Sequence, residues 1–318
     1  MTETKVAAAE GERSRAHPPA AAGGKRAGRR RLHPAGLPWI LPALILSVGL
    51  IYYGIGYTGY VSTLRWNGTS LHPGHVGAQN YVRVLQDPVF WKSIEHTVVY
   101  FIVTFVVQTT VGVLLAVFLH SKVRLAVVYK ILIFIPVILA PAIMAPVFRQ
   151  MYSADGQFNW LLSHIGLGSV AQPWLAQSST ALGVIICITI WHHTGITFVL
   201  YFAAMGQIEP EILEAARIDG AGNVRTLTSI IWPGVRGTTV ALAMLSVIGA
   251  LKTFDIPYLV TIGGPNYATE FLGTFIYRAA IAESKVGYAA TLSIFLLVLA
   301  LGMAILMQYR AREKGPTV

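Results

Sequence analysis

The sequence has little charge and almost no cysteine. Only 12% of its 318 residues are charged and 54% are hydrophobic, whereas soluble domains usually carry about twice that share of charge. The single cysteine, Cys187, excludes an intramolecular disulfide. It lies inside a long apolar run, where we expect it to pack as a small apolar side chain. The composition therefore argues against a soluble domain and against a disulfide-stabilised one.

The sequence also lacks the motifs of a motor or a metal site. No Gly-x4-Gly-Lys-[Ser/Thr] loop occurs, because Gly23-Gly24-Lys25 is followed by Arg26 and has no upstream glycine. His192 and His193 are adjacent, so they point to different sides of a helix and make a poor chelate. With no nucleophile paired to a base either, we expect no catalytic residue, metal or cofactor. If the chain serves an ATP-driven process, a separate polypeptide must hydrolyse the ATP.

The chain is rich in long apolar runs. Each run has roughly 20 residues, enough to cross a hydrocarbon core of about 30 Å as a helix. The runs do not alternate as barrel strands do, and backbone groups in lipid need partners within their own segment. These patterns predict an all-α integral membrane domain over 37–310, in which Asp87-Pro88 marks the turn before the second span. Its six spans lie at about 38–58, 94–119, 127–148, 180–205, 238–262 and 288–308.

The basic residues are distributed unevenly along the chain. Of the 24 Lys and Arg, 17 fall on one predicted side, in residues 1–31, 122–130, 217–236 and 310–314. This positive-inside bias accounts for the net charge of +10 without nucleic acid. The bias predicts two cytoplasmic termini, with a short tail over 311–318. Residues 1–36 are rich in Ala, Gly, Pro and Arg and have no apolar period, so we expect them to form a disordered basic tail. The stretches 59–92, 149–179 and 263–286 are then external.

A polar stretch between the fourth and fifth spans reads EAARIDGA at 214–221. Pro210 suits an early helix position, acidic side chains such as Glu214 suit the positive helix end, and Gly220 can end the helix in a left-handed conformation. The spacing predicts a short helix at about 210–219, capped at both ends. Ala215 and Ala216 would leave a low face for a partner, and Arg217 and Asp219 could pair across that contact.

This stretch resembles the EAA loop of bacterial ABC-importer permeases. Glu214, Ala215, Ala216, Gly220, Ile230 and Pro233 match its spacing, and Trp232 replaces the usual leucine. The resemblance covers about 38–310, and TFDIPYLVTIGGPNYATE (253–270) looks like the maltose/glycerol-phosphate type. It implies a type I ABC-importer permease fold of six transmembrane helices with a cytoplasmic coupling helix. The implied ATPase-docking residues are Glu214, Ala215, Ala216, Arg217, Asp219, Gly220, Ala221 and Pro233.

The same resemblance implies a set of partners. They are a second permease subunit in a heterodimer, two copies of a cytoplasmic ATPase, an extracytoplasmic substrate-binding protein and a carbohydrate substrate. The implied location is the bacterial inner membrane, with many passes through the bilayer. The alternative is an ion-coupled secondary transporter, which would also use charges inside its spans but would not need a capped cytoplasmic helix of this spacing.

Charges and aromatic side chains within the spans suggest a substrate pathway. Lys252 and Asp255 lie three residues apart, close enough to pair on one helix face, and Pro257 can break the helix just after them. A charge in hydrocarbon is costly, so the pair should face protein as a structural ion pair or line a watery cavity. In the third span, Pro136, Pro141 and Pro146 predict a kink, which is either scaffold or cavity lining. Aromatic faces and polar groups suited to sugars are offered by Trp191, His192, Thr194, Phe254, Asp255 and Tyr258.

Overall fold

The computed structural model describes residues 37–121 and 124–313. The predicted tail over 1–36, and residues 314–318 of the predicted C-terminal tail, lie outside the described residues. Two two-residue strands form an antiparallel hairpin, β1 (Leu64–Arg65) and β2 (Gly74–His75). The helices are α1 (Leu37–Ser62), α2 (Gln79–Gln86), α3 (Pro88–His120), α4 (Ala126–Ile138), α5 (Pro141–Met151), α6 (Gln157–His164), α7 (Ala181–Met205), α8 (Pro210–Ile218), α9 (Asn223–Thr226), α10 (Trp232–Gly234), α11 (Arg236–Leu251), α12 (Asp255–Thr261), α13 (Leu272–Tyr277) and α14 (Val286–Glu313).

The chain divides into two units, and the boundary falls inside α1 between Ile51 and Tyr52. The described part of the first unit is the N-terminal portion of α1, an apolar helical segment that contains Pro42. The second unit runs from Tyr52 onwards and holds every other element.

Among the described residues, four helices are long and apolar enough to cross a membrane: Trp39–Ser62, Pro88–His120, Ala181–Met205 and Val286–Tyr309. Two bent helix pairs raise the number to six if each pair counts as one span. The helix that contains the second predicted span begins at Pro88, because Asp87 accepts a hydrogen bond from the Val89 N–H (2.8 Å) and caps the helix there. The last helix continues to Glu313, so the start of the predicted C-terminal tail is helical.

The third predicted span is broken rather than merely kinked. Helix α4 ends at Ile138, α5 begins at Pro141, and the two helices meet at 95°. Pro141 has no N–H to continue the α4 hydrogen-bond ladder, and it forces the preceding Ala140 into an extended conformation (ψ 135°). The single helix predicted over 127–148 is therefore wrong.

The fifth predicted span, 238–262, is also interrupted. Helix α11 ends at Leu251, Lys252 occupies its C-terminal cap, and α12 begins at Asp255. The break precedes Pro257, which lies inside α12, so the predicted break after Lys252 and Asp255 is misplaced. Upstream of α11 the chain bends by a further 66° between Asn223–Gly234 and Arg236–Leu251.

Helices α3 and α7 form the most extensive helix pair in the fold and run parallel. Tyr100 donates a hydrogen bond to Thr189 (3.3 Å), Gly112 lies against Thr197, and His120 meets the Phe202 ring. The residue numbers rise together along both helices. Helix α8, which follows α7, therefore lies at the end where α3 finishes, and α2 lies at the end where α3 starts. The 33 residues of α3 separate those ends by about 50 Å, at 1.5 Å per residue.

The predicted external stretch 263–286 is not an open loop. It contains α13, whose Leu272 and Phe275 are buried with Val84, Phe90 and neighbouring apolar side chains. The preceding carboxylate of Glu270 is also buried, and it pairs with the guanidinium of Arg278 (3.3 Å). Burial raises the pKa of Glu270, while the Arg278 charge acts in the opposite direction.

Replacing Gly287 by alanine should destabilise the fold, because the hairpin backbone lies directly on α14 there. A Cβ at this position would overlap the Leu64 carbonyl oxygen, and the Gly287 N–H donates to the Trp66 carbonyl (3.1 Å). We expect Gly287→Ala to cost at least about 1–3 kcal/mol, measured as a lower thermal unfolding temperature in detergent. Gly302→Ala is the matched control, since Gly302 lies on the same helix with open space around it. Equal unfolding temperatures for the two variants would contradict this packing.

Candidate functional site

The predicted short helix in the polar stretch is present as α8, and proline and charge define its start. Pro210 occupies the first helical position and Glu211 lies in the first turn. Glu209 stands at the cap position, but its side chain accepts no hydrogen bond from the helix. Pro210 together with the acidic first turn therefore favours the helix start, as predicted.

The other end of α8 is closed by a left-handed glycine. Gly220 has φ +74°, its N–H donates to the Arg217 carbonyl (3.1 Å), and the Ala221 N–H donates to the Ala216 carbonyl (2.9 Å). These two bonds form a Schellman motif, which satisfies carbonyls left free by the helix end. A side chain with a Cβ is strained at this φ, so the sequence requirement for glycine here is conformational.

Helix α8 has one face on the protein and one exposed face. Ala216 is buried and Leu213 packs against the core that includes Tyr201 and Phe198, so only Ala215 of the two alanines is exposed. The expectation that both alanines form the outer face is therefore wrong. The large apolar side chain exposed on α8 is Ile218 (86% exposed), and Val224 on α9 is also strongly exposed (75%). Apolar groups this exposed in a polar segment are typical of a protein interface.

The predicted loop after α8 is helical. Helix α9 leads through a π-helical turn at Leu227–Ile231 into α10, where Trp232 and Pro233 are exposed. Gly234 packs closely against Ile208 in the link between α7 and α8. Glu214, Arg217, Asp219 and Gly220 are exposed, and Ala221 is half-buried. Of the predicted docking residues, only Ala216 is buried within the chain.

A cavity of about 420 Å³ lies between α3, α7 and the break after α11. Its wall is rich in polar side chains, which is unusual for the interior of an apolar helix bundle. Those polar lining residues are Tyr100, Thr104, Gln108, Thr189, His192, His193, Thr197, Ser246, Lys252, Thr253 and Asp255.

The structure gathers three of the six predicted substrate-pathway residues around this cavity: His192, Phe254 and Asp255. Trp191 instead lines a separate, mostly apolar cavity of about 490 Å³, where its ring meets Phe148. The side chains of Thr194 and Tyr258 line neither cavity. Thr194 donates back to the Ile190 carbonyl of its own helix, and Tyr258 stacks on Phe254 with ring centroids 5.0 Å apart. The six residues therefore do not form one cluster.

Cys187 also lines the apolar cavity and is exposed there, rather than packed in the core as expected.

Lys252 and Asp255 do not form the predicted ion pair on one helix face. The helix ends between them, and both side chains are exposed at the cavity wall. Within the part of the chain that the structure describes, no carboxylate lies within 4.0 Å of the Lys252 ammonium group. Asp255 instead begins α12, where the positive end of the helix stabilises its charge.

His192 connects the cavity to the break between α4 and α5. Its Nε2 lies 3.0 Å from the Leu139 carbonyl oxygen. Because a carbonyl only accepts, Nε2 must carry a proton, and in the neutral ring Nδ1 is then an acceptor. Nδ1 is buried and has no protein partner among the described residues. His192 thus donates a hydrogen bond to the Leu139 carbonyl at the helix break, and its Nδ1 remains an unused acceptor beside the cavity.

The polar residues of α3 were missed at the sequence level. Tyr100, Thr104 and Gln108 line the cavity and recur at intervals of four residues, with Thr97 three residues earlier. That spacing places them on one face of a helix. In the sequence, this polar stripe within an otherwise apolar span indicates that one face of the helix lines a cavity.

Comparison with known proteins gives consistent matches along the chain. A family model described as "Binding-protein-dependent transport system inner membrane component" matches residues 108–314. "Probable ABC transporter permease protein YurN" of Bacillus subtilis (strain 168) is 30% identical over 280 residues, which are 87% of this chain and 95% of that protein. "Lactose transport system permease protein LacF" of Rhizobium radiobacter is 31% identical over 279 residues, 86% of this chain and 88% of that protein.

The fold is also found in a solved transporter. One chain of the "Crystal structure of bacterial alginate ABC transporter in complex with alginate pentasaccharide-bound periplasmic protein" matches with a TM-score of 0.71. The match covers 88% of this chain and 97% of that chain at 21% identity. The two chains therefore share a fold, the type I importer permease fold, as the sequence predicted. The alternative of an ion-coupled carrier is not favoured by these relatives.

Replacing His192 by phenylalanine should weaken the broken third span. The ring is kept, but the Leu139 carbonyl loses its donor, and a buried unpaired acceptor costs about 1–3 kcal/mol. We expect a lower thermal unfolding temperature of the protein in detergent.

His193→Phe is the control for this prediction. His193 lies 3.4 Å from the Thr189 carbonyl, which also accepts from the Gln108 amide at 3.2 Å and so keeps a partner. If His193→Phe destabilised the protein as much as His192→Phe, the special role of the Leu139 contact would be refuted.

Proposed function

The chain belongs to the family of inner-membrane components of binding-protein-dependent transport systems, and on that premise we propose that it is the permease subunit of an ATP-driven carbohydrate importer. Its partners would be a second permease subunit in a heterodimer, two copies of a cytoplasmic ATPase and an extracytoplasmic substrate-binding protein. The names of relatives such as the lactose permease LacF support a sugar as the substrate. ATP hydrolysis would take place on the separate ATPase subunit.

The observation that carries this proposal is the geometry of α8. It is a short helix with a left-handed glycine at its end, a buried inner face and one strongly exposed apolar side chain, Ile218, and the exposed Val224 follows on α9. A helix of this form can insert into a groove on a partner, with apolar anchors at the centre of the contact. We assign it as the coupling helix that docks on the ATPase. Glu214, Ala215, Arg217 and Asp219 are the exposed contact residues, Gly220 and Ala221 set the helix end, and Pro233 is exposed on α10.

Helix α8 is well placed to transmit motion to the cavity. Only residues 206–209 separate it from α7, and Leu213 packs against the same core as Tyr201 of that helix. Helix α7 in turn contributes Thr189, His192 and Thr197 to the polar cavity. ATP-driven closure of the ATPase would move α8 and rock α7 with its parallel neighbour α3. The cavity would then open alternately to the two sides of the membrane.

The polar cavity is our candidate for this subunit's part of the translocation pathway. Tyr100, Gln108 and the hydroxyls beside them can bond sugar hydroxyls, His192 offers a free acceptor, and Phe254 offers an aromatic face. Trp191 lies outside this cavity and would contact substrate only if the apolar cavity joined the pathway. With α8 cytoplasmic, both termini would be cytoplasmic, in keeping with the distribution of basic residues.

Replacing Gly220 by valine should uncouple the transporter. A β-branched residue at φ +74° costs about 1–3 kcal/mol or forces the helix end to change. We expect sugar-stimulated ATPase activity of the reconstituted complex to fall about ten-fold, since 1.4 kcal/mol corresponds to one decade in docking affinity. The amount of permease in the membrane should not change.

Gly222→Val serves as the matched control, because Gly222 has an extended conformation (φ −68°, ψ 166°) that valine adopts readily. Normal stimulated ATPase activity in Gly220→Val would refute the docking assignment.

Replacing Asp255 by asparagine should impair transport without loss of assembly. The change keeps the shape of an exposed cavity-wall side chain but removes its negative charge, which makes the cavity that Lys252 also lines more positive. Because no ion pair holds Asp255 in place, the yield of the complex should stay normal while sugar uptake falls several-fold. Uptake into proteoliposomes and yield after purification measure the two effects. Asp155→Asn, in an exposed turn away from the cavity, controls for loss of surface charge.

A further inference from the structure

A further cavity lies at the end of the fold where α3 starts. It has a volume of about 930 Å³ and is enclosed by β1 and the residues after it, α2, the start of α3 and the segment leading into α14. All of these elements lie at the end of α3 where that helix starts, whereas α8 lies at the end where it finishes. The cavity and the coupling helix are therefore separated by the full length of a spanning helix.

The wall of this cavity carries more positive than negative charge. Four basic residues line it, Arg65, Arg83, Arg278 and Lys285, against two acidic ones, Asp87 and Glu283. Both carboxylates are already engaged within the protein. Asp87 accepts from the Val89 N–H and from the Tyr288 hydroxyl (2.6 Å), and Glu283 pairs with Arg278 (3.3 Å) and Lys285 (2.8 Å).

Two arginines remain without a counter-charge. Arg65 and Arg83 are exposed at the cavity wall, and no carboxylate of the described residues lies within 4.0 Å of either guanidinium group. Guanidinium groups bind carboxylates with two parallel hydrogen bonds, which gives both affinity and geometric selectivity. The cavity therefore favours a ligand that carries carboxylates.

Buried hydrogen bonds hold together β1 and α2, the two elements that carry Arg65 and Arg83. The Asn80 side-chain amide donates to the carbonyls of Ser62 (2.8 Å) and Leu64 (2.9 Å), which ties α2 to β1. The Gly287 N–H donates to the Trp66 carbonyl and so ties the hairpin to α14. A site that is already ordered loses less entropy on binding.

An apolar anchor stands beside the cavity. Leu71 follows the lining residue Ser70 in the polar segment between the two strands, and it is 91% exposed, the highest value among the large apolar side chains of the described residues. A polar, charged cavity next to a single exposed leucine resembles the mixed surface of a transient protein interface more than a closed pocket for a small molecule.

We propose that this surface, formed by Arg65, Arg83 and Leu71, is the docking site for an acidic segment of the extracytoplasmic substrate-binding protein. The inference rests on the proposed function, because an external position of the cavity follows from a cytoplasmic α8. The family is binding-protein-dependent, and the binding protein is the partner that meets the face opposite the ATPase. Paired charges would steer the encounter and fix the register of the complex, so binding should weaken as salt rises.

The experiment is a titration of the complete transporter, reconstituted in nanodiscs, with its sugar-loaded binding protein while ATPase activity is followed. For the double variant Arg65→Gln/Arg83→Gln we expect the half-maximal binding-protein concentration to rise about ten-fold. The maximal rate at saturation should be unchanged, and the half-maximal concentration should lose most of its salt dependence. Leu71→Ser should raise this concentration without altering its salt dependence.

Two further variants control for charge and folding. Gln79→Glu lowers the net charge by one on the same helix as Arg83 but outside the cavity, so it should behave as wild type. Arg65→Lys/Arg83→Lys keeps both charges but loses the two parallel hydrogen bonds, so it should keep the salt dependence and recover only part of the affinity. If the double glutamine variant matched wild type in half-maximal concentration and salt dependence, the assignment would be overturned. An equal effect of Gln79→Glu would overturn it as well.

The remaining outcomes separate this inference from the proposed function. If the binding protein fails to stimulate ATPase activity in the wild-type complex, the proposed function itself is refuted. If stimulation is normal in the double variant but binding to vesicles containing phosphatidylglycerol is lost, the arginines serve lipid headgroups and the docking assignment is wrong.

Discussion

The structure depends on one constraint, which is that backbone groups within a membrane must find hydrogen-bond partners in the protein. Most of the chain meets it with continuous helices. At the two places where a predicted span is interrupted, between α4 and α5 and between α11 and α12, the chain has special partners. The Leu139 carbonyl at the first break accepts from His192, and the second break borders the polar cavity. Irregular backbone therefore occurs beside side chains or cavities that can satisfy it.

The same constraint explains why polar side chains gather where they do. Thr189 and Thr104 each donate a hydrogen bond to a carbonyl one turn earlier on their own helix, and the Gln108 amide donates across to α7. Their hydrogen-bonding needs are partly met before any ligand arrives. The parallel α3 and α7 thus combine close packing at Gly112 with a polar seam further along, and α8 is attached to the end of that pair.

Local features of the fold were predictable from the sequence. The apolar runs predict six spans, and the spacing of proline and glycine predicts α8 with its left-handed Gly220.

Local sequence patterns do not predict the effect of contacts between residues that are distant in the chain. Prolines indicated a weak point in the third span, but the 95° turn depends on packing against α7 and on the donor from His192. The segment containing α13 carries Glu270 and Arg278, which look external until their pairing and burial are seen. Trp191, Thr194 and Tyr258 do not line the polar cavity. The direction in which their side chains point depends on how each helix is rotated about its own axis, and the spacing of residues in the sequence does not give that rotation.

The length of α3 has a mechanical consequence. Its start is held by Asp87, which caps the helix and accepts a bond from Tyr288, and its end packs through Leu119 against the core beneath α8. The helix between these two ends is unbroken, so it is stiffer than two helices joined by a flexible link. Under the proposed function, a displacement of the α8 end would therefore be transmitted to the start of α3, about 50 Å away, with little loss in between.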